Sequence, residues 1–210
     1  MSAGHNGPMR VFAALTLPDE AVEDLVDFLE PRRQAGPGLR WTDPAQWHVT
    51  VAFMAMVPAE GLDRVAESVA EAAAGHPPVR LRLAGAGTFP DVAGARVLWT
   101  AVHGELDALA RRVRGACNRA GGSPTGGAFH AHLTVARFRR PTEATRWVRV
   151  LDGYAGPAWV AREVSLVVSH PGSGPGRSRV HELFATAPLS RAPLTGVPCP
   201  QQDSNLRPRD

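Results

Sequence analysis

His48-Val49-Thr50-Val51 and His132-Leu133-Thr134-Val135 are two copies of one pattern, His-x-Thr-x, set about 84 positions apart. The first lies in the apolar stretch Trp47 to Met56 and the second in Phe129 to Phe138, and both stretches read as β-strands. Successive side chains on a strand point to opposite faces, so each histidine shares a face with its threonine while the intervening apolar residues take the other. Each tetrapeptide therefore offers one imidazole and one hydroxyl to a cleft. One imidazole to take a proton from water, a second to protonate a leaving oxygen, and two hydroxyls to hold an anion between them suit phosphodiester chemistry without a metal.

Outward from the motifs, strands and helices alternate. Met9 to Leu17 reads as a strand, and Pro18-Asp19-Glu20 opens an amphipathic helix with Ala21, Val22, Leu25, Phe28 and Leu29 on its apolar side. Gly36-Pro37-Gly38 is a turn, Leu39 to Thr42 a short strand, and Pro58 to Ala74 a second helix. Val79 to Phe89 and Arg96 to Val102 make a strand pair, followed by a helix from Glu105 to Ala120. Gly121 to Gly127 is a flexible connection, and Thr142 to Leu151 a short helix. Val160 to Val168 reads as one strand, the stretch from Pro171 to Gly176 as a loop, and Arg179 to Ala187 as a last strand forming a hairpin with it. The expected class is α+β: two pseudo-symmetric αβ lobes with mainly antiparallel sheets facing a central cleft, one motif from each.

The expected domain occupies residues 9–189, between a disordered N-terminus (1–8) and a disordered tail (190–210) rich in proline. The closing QQDSNLRPRD resembles a peptide produced by translational read-through into a transfer-RNA-like sequence, and no function is expected of it. A chain of 210 residues with 44% hydrophobic content can bury one sizeable core. No apolar run spans a membrane and no secretory signal is visible, so a cytoplasmic location and a monomer are the expectations. Two isolated cysteines, Cys117 and Cys199, make neither a disulfide framework nor a metal set. The net charge is only +3, but the cations are nearly all arginine and cluster at Arg111 to Arg119 and at Arg137 to Arg149. The first cluster reads as a solvated helix face, and the second begins directly after a motif strand, where guanidinium groups suit phosphate.

Taken together these residues resemble the 2H phosphoesterase superfamily, named for its two His-x-Thr-x motifs, and within it the RNA 2′,3′-cyclic phosphodiesterases, also called 2′-5′ RNA ligases. The approach Arg40-Trp41 and Asp43 to Thr50, the segment Phe129 to Arg137, the N-terminal Arg10 to Leu15 and the closing Pro188-Leu189 carry the likeness over most of residues 9 to 189. Two departures stand out: His181 occupies the last strand where family members commonly carry tyrosine, and Val51 to Met56 replaces a Phe-Leu-Gly ending. The resemblance implies hydrolysis of a 2′,3′-cyclic phosphate at an RNA end to a 2′-phosphomonoester, with 2′-5′ ligation as the reverse reaction. It implies His48 as general acid, His132 as general base, and Thr50 and Thr134 on the non-bridging phosphate oxygens.

Arg137 is a further candidate for the phosphate, but strict alternation puts it opposite His132 and Thr134, so it reaches the phosphate only if the strand ends or bulges there. His130 has the parity to face the cleft or its rim. Phe12 and Trp41 are candidates for base contacts; core packing is the favoured reading of Phe12, and the two readings of Trp41 are level. No cofactor and no metal are expected, and Gly85-Ala86-Gly87 lacks the rest of a nucleotide-binding loop. Two rival classes remain: a metalloenzyme built on His130 and His132 with His48, His170 or His181, and a non-catalytic module that binds RNA ends.

Overall fold

The computed structural model describes residues 7–34, 38–170, 172 and 179–190. Most of the expected N-terminal and C-terminal segments, the turn at 36–37 and most of the loop from Pro171 to Gly176 lie outside the described residues. The described elements run β1 (Met9–Thr16), α1 (Asp19–Arg33), β2 (Leu39–Trp41), β3 (His48–Val57), α2 (Leu62–Ala74), β4 (Val79–Phe89) and β5 (Ala95–His103). They continue with α3 (Asp107–Arg119), β6 (His132–Thr142), α4 (Thr145–Asp152), β7 (Ala155–Ala161), β8 (Glu163–His170) and β9 (Val180–Pro188).

Two antiparallel sheets result, one in the order β3-β1-β8-β9 and the other β2-β6-β5-β4-β7. Strand β1 is central in the first sheet, and the unbroken burial of Val11 to Leu15 reflects cover on both faces. Helices α2 and α3 pack against the first sheet, α1 and α4 against the second. The buried stripe Leu62, Val65, Val69, Ala72 and Ala73 meets Leu109, Ala110, Val113, Ala116 and Cys117, and polar bonds such as Ser68 Oγ to the Ala116 carbonyl fix the helix pair. In α1, Asp19 and Glu20 lie in the first turn and Arg32 and Arg33 in the last, which complements the helix dipole.

The α+β class and the two lobes are as expected from sequence, but the lobes exchange parts. The segment before β3 crosses to the other sheet, where β2 pairs with β6 through Trp41↔Ala136 and Arg40↔Arg137. The segment before β6 crosses the opposite way: Pro124 bridges Met54 of β3, and Thr125 N donates to the Phe53 carbonyl at 2.8 Å. Each motif strand is thus flanked by the lead-in of the other, and the connection at Gly121 to Gly127 is tied down.

One expectation is overturned. Val160 to Val168 is not a single strand: β7 ends at Ala161 on the edge of the second sheet, and β8 starts at Glu163 inside the first. Only Arg162 separates them, so no glycine or proline punctuates the switch. Strand β7 is concealed because Gly156 and Pro157 look like a turn, yet proline is tolerated on a sheet edge. Smaller shifts follow at element ends: β6 starts at His132 after an irregular approach, and Thr142 closes β6, leaving α4 to begin at Thr145.

Candidate active site

The motif strands lie side by side across the junction of the sheets, and their cleft faces border a cavity of about 750 Å³. His48, Thr50, His132 and Thr134 all line it. Behind them Val49, Val51, Leu133 and Val135 are fully or almost fully buried, so core packing fixes which way each motif faces.

Both strands carry a bulge at the same motif position. Along β1 and β3, Ala13 pairs with Ala52 but Ala14 pairs with Thr50, leaving Val51 as the extra residue. Along β5 and β6, Leu98 pairs with Ala136 but Trp99 pairs with Thr134, leaving Val135 extra. A bulge resets the two-residue alternation. Two successive residues then point inward, Val51-Ala52 and Val135-Ala136, and the fifth residue after each histidine returns to the cleft face. Those residues are Phe53 and Arg137, and both line the cavity.

The imidazoles are held alike. His48 Nδ1 donates to the Gln46 carbonyl at 2.6 Å, and His132 Nδ1 donates to the His130 carbonyl at 2.8 Å. A carbonyl only accepts, so each Nδ1 keeps its proton and Nε2 is the atom that exchanges one. Phe12 stacks on His48 with centroids 4.5 Å apart, and Phe89 meets His132 edge-on at 4.9 Å.

Their electrostatic settings differ. Burial lowers the His48 pKa to about 4; the Gln46 carbonyl opposes this, and His181, His132 and Arg137 push it down further. Burial likewise lowers His132, opposed by the His130 carbonyl and helped by His130 and Arg137. Arg137 lies below its ordinary value through desolvation and repulsion from Arg179. His181, half-buried on β9, lines the cavity with its ring 5.4 Å from His48 and 5.0 Å from Phe12, and burial and Arg179 lower its pKa.

The weaker sequence candidates separate. Trp41 lines the cavity and packs edge-on against Trp147 at 5.8 Å. Phe12 also lines it but is only 4% exposed, with His48 stacked on its face, so that face is closed to a base. His130 is not brought to the cavity wall; its ring packs 4.8 Å from Trp99 and its carbonyl positions His132. Among the described residues no three His, Cys, Asp or Glu side chains group to hold a metal ion, and His170 Nε2 instead lies 2.9 Å from Glu182. Arg179, Phe53 and Ser169 line the cavity without having been candidates in the sequence, as does Arg10, which figured there only in the family likeness. The alternation of Arg10 with Phe12 was the only local signal for any of them.

A family model for the 2′-5′ RNA ligase superfamily matches residues 18–172. The chain is 34% identical to the RNA 2′,3′-cyclic phosphodiesterase of Geobacillus stearothermophilus over 60% of its own length, spanning 41% of that relative. It is 31% identical to the enzyme of the same name from Archaeoglobus fulgidus, covering 63% of this chain and 74% of that one. Among solved structures, TT0787 of Thermus thermophilus superposes with a TM-score of 0.74 at 26% identity, over 88% of this chain and all of that one. Escherichia coli LigT bound to 3′-AMP shares the fold, with a TM-score of 0.67 at 22% identity over 87% and 98% of the two chains. With paired His-x-Thr-x strands facing one cleft in this fold, the chain belongs to the 2H phosphoesterase superfamily and, within it, to the RNA 2′,3′-cyclic phosphodiesterase (2′-5′ RNA ligase) family.

Proposed function

We propose that the protein hydrolyses 2′,3′-cyclic phosphodiester ends of RNA to 2′-phosphomonoesters, using protein side chains alone. The observation that carries this reading is the matched pair of histidines, each with Nδ1 held by a carbonyl two residues back and Nε2 left for proton transfer in one cleft. The names of the curated relatives supply the substrate class.

In this mechanism Thr50, Thr134 and Arg137 bind the non-bridging oxygens of the cyclic phosphate. His132 Nε2 takes a proton from water as the water oxygen bonds to phosphorus. The bond from phosphorus to O3′ breaks on the opposite side, and His48 Nε2 delivers a proton to that oxygen. The product carries a 2′-phosphate and a free 3′-hydroxyl, and exchange with solvent restores both rings. Replacing water by an RNA 5′-hydroxyl turns the same step into 2′-5′ ligation.

The test is phosphorus NMR of the full chain with a cyclic-phosphate-ended oligonucleotide in EDTA, beside His48→Ala and His132→Ala. A 2′-monophosphate signal from the parent, lost in both variants, is expected. Persistence of the cyclic phosphate with folded parent protein overturns the reading, pointing to another cyclic or 2′-5′ diester or to an RNA-end binding module.

A further inference from the structure

The cavity carries more positive charge than one cyclic phosphate requires. Arg10, Arg40, Arg137 and Arg179 all line it, against one carboxylate, Asp43, whose Oδ1 accepts from Ala45 N at 3.0 Å. Among the described residues the ion pairs are Arg33 with Glu30 and His170 with Glu182, so none of these four arginines is paired with a carboxylate of the described residues. A cyclic phosphodiester brings a single negative charge. Unpaired guanidinium groups gathered in one cleft mark a place for further anionic groups.

The arginines are divided between the sheets. Arg40 and Arg137 sit directly opposite each other on β2 and β6, an unfavourable like-charge pair in the absence of an anion, and they flank the second motif. Arg10 belongs to the first sheet, where it pairs with Ser169 of β8, which in turn pairs with His181 of β9. These three residues form one row across the sheet, and all three line the cavity. Arg179 directly precedes β9, and its carbonyl accepts from Gln46 Nε2 at 2.9 Å, which ties the start of β9 to the turn that also holds His48. His181 thus shares a row with Arg10 and Ser169, and its ring lies 5.4 Å from that of His48.

We propose that Arg10, Ser169 and Arg179 form a second phosphate subsite that takes the phosphodiester on the 5′ side of the terminal nucleotide, so that the substrate is an oligonucleotide end in preference to a cyclic mononucleotide. The proposal rests on the phosphodiesterase reading above for the identity of the first phosphate. Arg40 and Arg137 serve the reacting phosphate and Arg10 the one upstream, with Arg179, which repels Arg137, at the junction of the two.

The experiment compares adenosine 2′,3′-cyclic phosphate with the dinucleotide ApA ending in the same cyclic phosphate, using the full chain, Arg179→Gln and Arg10→Gln/Arg179→Gln. The parent is expected to favour the dinucleotide in kcat/KM by about tenfold or more, with the preference reduced in the single variant and abolished in the double one. Calorimetric titration with adenosine 2′-phosphate and ApA 2′-phosphate reads the subsite independently of turnover. The dinucleotide is expected to bind more tightly, with a salt slope steeper by about 0.7 that the double variant loses. Equal kcat/KM and equal affinity for the two lengths, or a double variant that lowers both lengths alike, overturns the subsite. If neither cyclic compound is hydrolysed, the phosphodiesterase reading falls, and the affinities still decide whether the second phosphate is bound. Arg10 and Arg179 are exposed, so neither substitution empties the core.

Discussion

In the free protein His48 titrates near 4 instead of 6.5, chiefly because its ring is buried. At pH 7 that leaves roughly one ring in a thousand protonated, and the gap amounts to roughly 3 kcal/mol against the imidazolium. In the proposed role of general acid, His48 in that state is inert until substrate arrives. A bound phosphodiester supplies a negative charge that offsets repulsion from His181, His132 and Arg137 and gives the imidazolium a counter-ion within the cleft, so binding raises the pKa of both histidines. The acid loses activity as pH rises through its pKa, and the base loses activity as pH falls through its own. Because kcat/KM reports the free protein, where both values lie below 6.5, its bell peaks on the acid side of 6.5. The kcat profile reports the complex and peaks at higher pH. Rate profiles from pH 4 to 9, with NMR titration of the His48 ring with and without 2′-phosphate product, measure both. His181→Gln removes the largest repelling group, and the free His48 pKa then rises. A free His48 that titrates at 6.5 or above, or superimposable kcat and kcat/KM profiles, refutes the reasoning.

The same depression reaches stability: below 6.5 the unfolded chain takes up a proton that folded His48 refuses until about 4, so stability falls across that window by up to roughly 3 kcal/mol. Urea denaturation at stepped pH is expected to show a flatter slope in His48→Gln; an unchanged slope rejects the assignment. Arg137→Ala is expected to lower kcat/KM about 10²–10³-fold with Arg137→Lys recovering only part, because a point charge does not reproduce the guanidinium fork; a loss within twofold removes Arg137 from the phosphate. Tyr154→Phe deletes the hydroxyl that donates to Asp24 of α1 at 2.7 Å from the residue just before β7, and urea denaturation is expected to register a loss of about 1–3 kcal/mol. An unchanged midpoint would mean that water replaces the phenol.

The legible parts of this fold are those governed by local pattern. His48 with Thr50 and His132 with Thr134 follow from the two-residue period, and the helices follow from stripes such as Val65 and Val69, because burial on one face imposes both. For Arg137 the same rule left the outcome open, since its position depends on Val135 being passed over in the pairing with β5, an event set by the partner strand. The β7 to β8 switch was invisible for a related reason: the two sheets claim neighbouring residues of one apolar run, and nothing in the run marks Arg162 as the handover. Arg10 enters the cleft through a register between strands far apart in sequence, and Arg179 through the bond of its carbonyl to Gln46.

The two bulges also explain why a near-symmetric framework can support asymmetric chemistry. Both motifs use the same local devices: a carbonyl on Nδ1, a hydroxyl two residues on, an extra valine, and a fifth residue turned back to the cleft. The fifth residue is where the lobes part, with Phe53 on one side and Arg137 on the other. The first side packs His48 among Phe12 and His181, the second sets His132 beside Phe89, and the cation of Arg137 acts on both rings. Identical ring tautomers in unequal fields acquire separate proton affinities; the deeper depression falls on His48, the proposed acid, so the free-protein field runs against the proposed roles and the bound phosphate has to raise His48. The fold thus holds two imidazoles alike, and under the proposed mechanism the residues around them and the bound phosphate, more than the motifs themselves, set which one gives its proton and which one takes it.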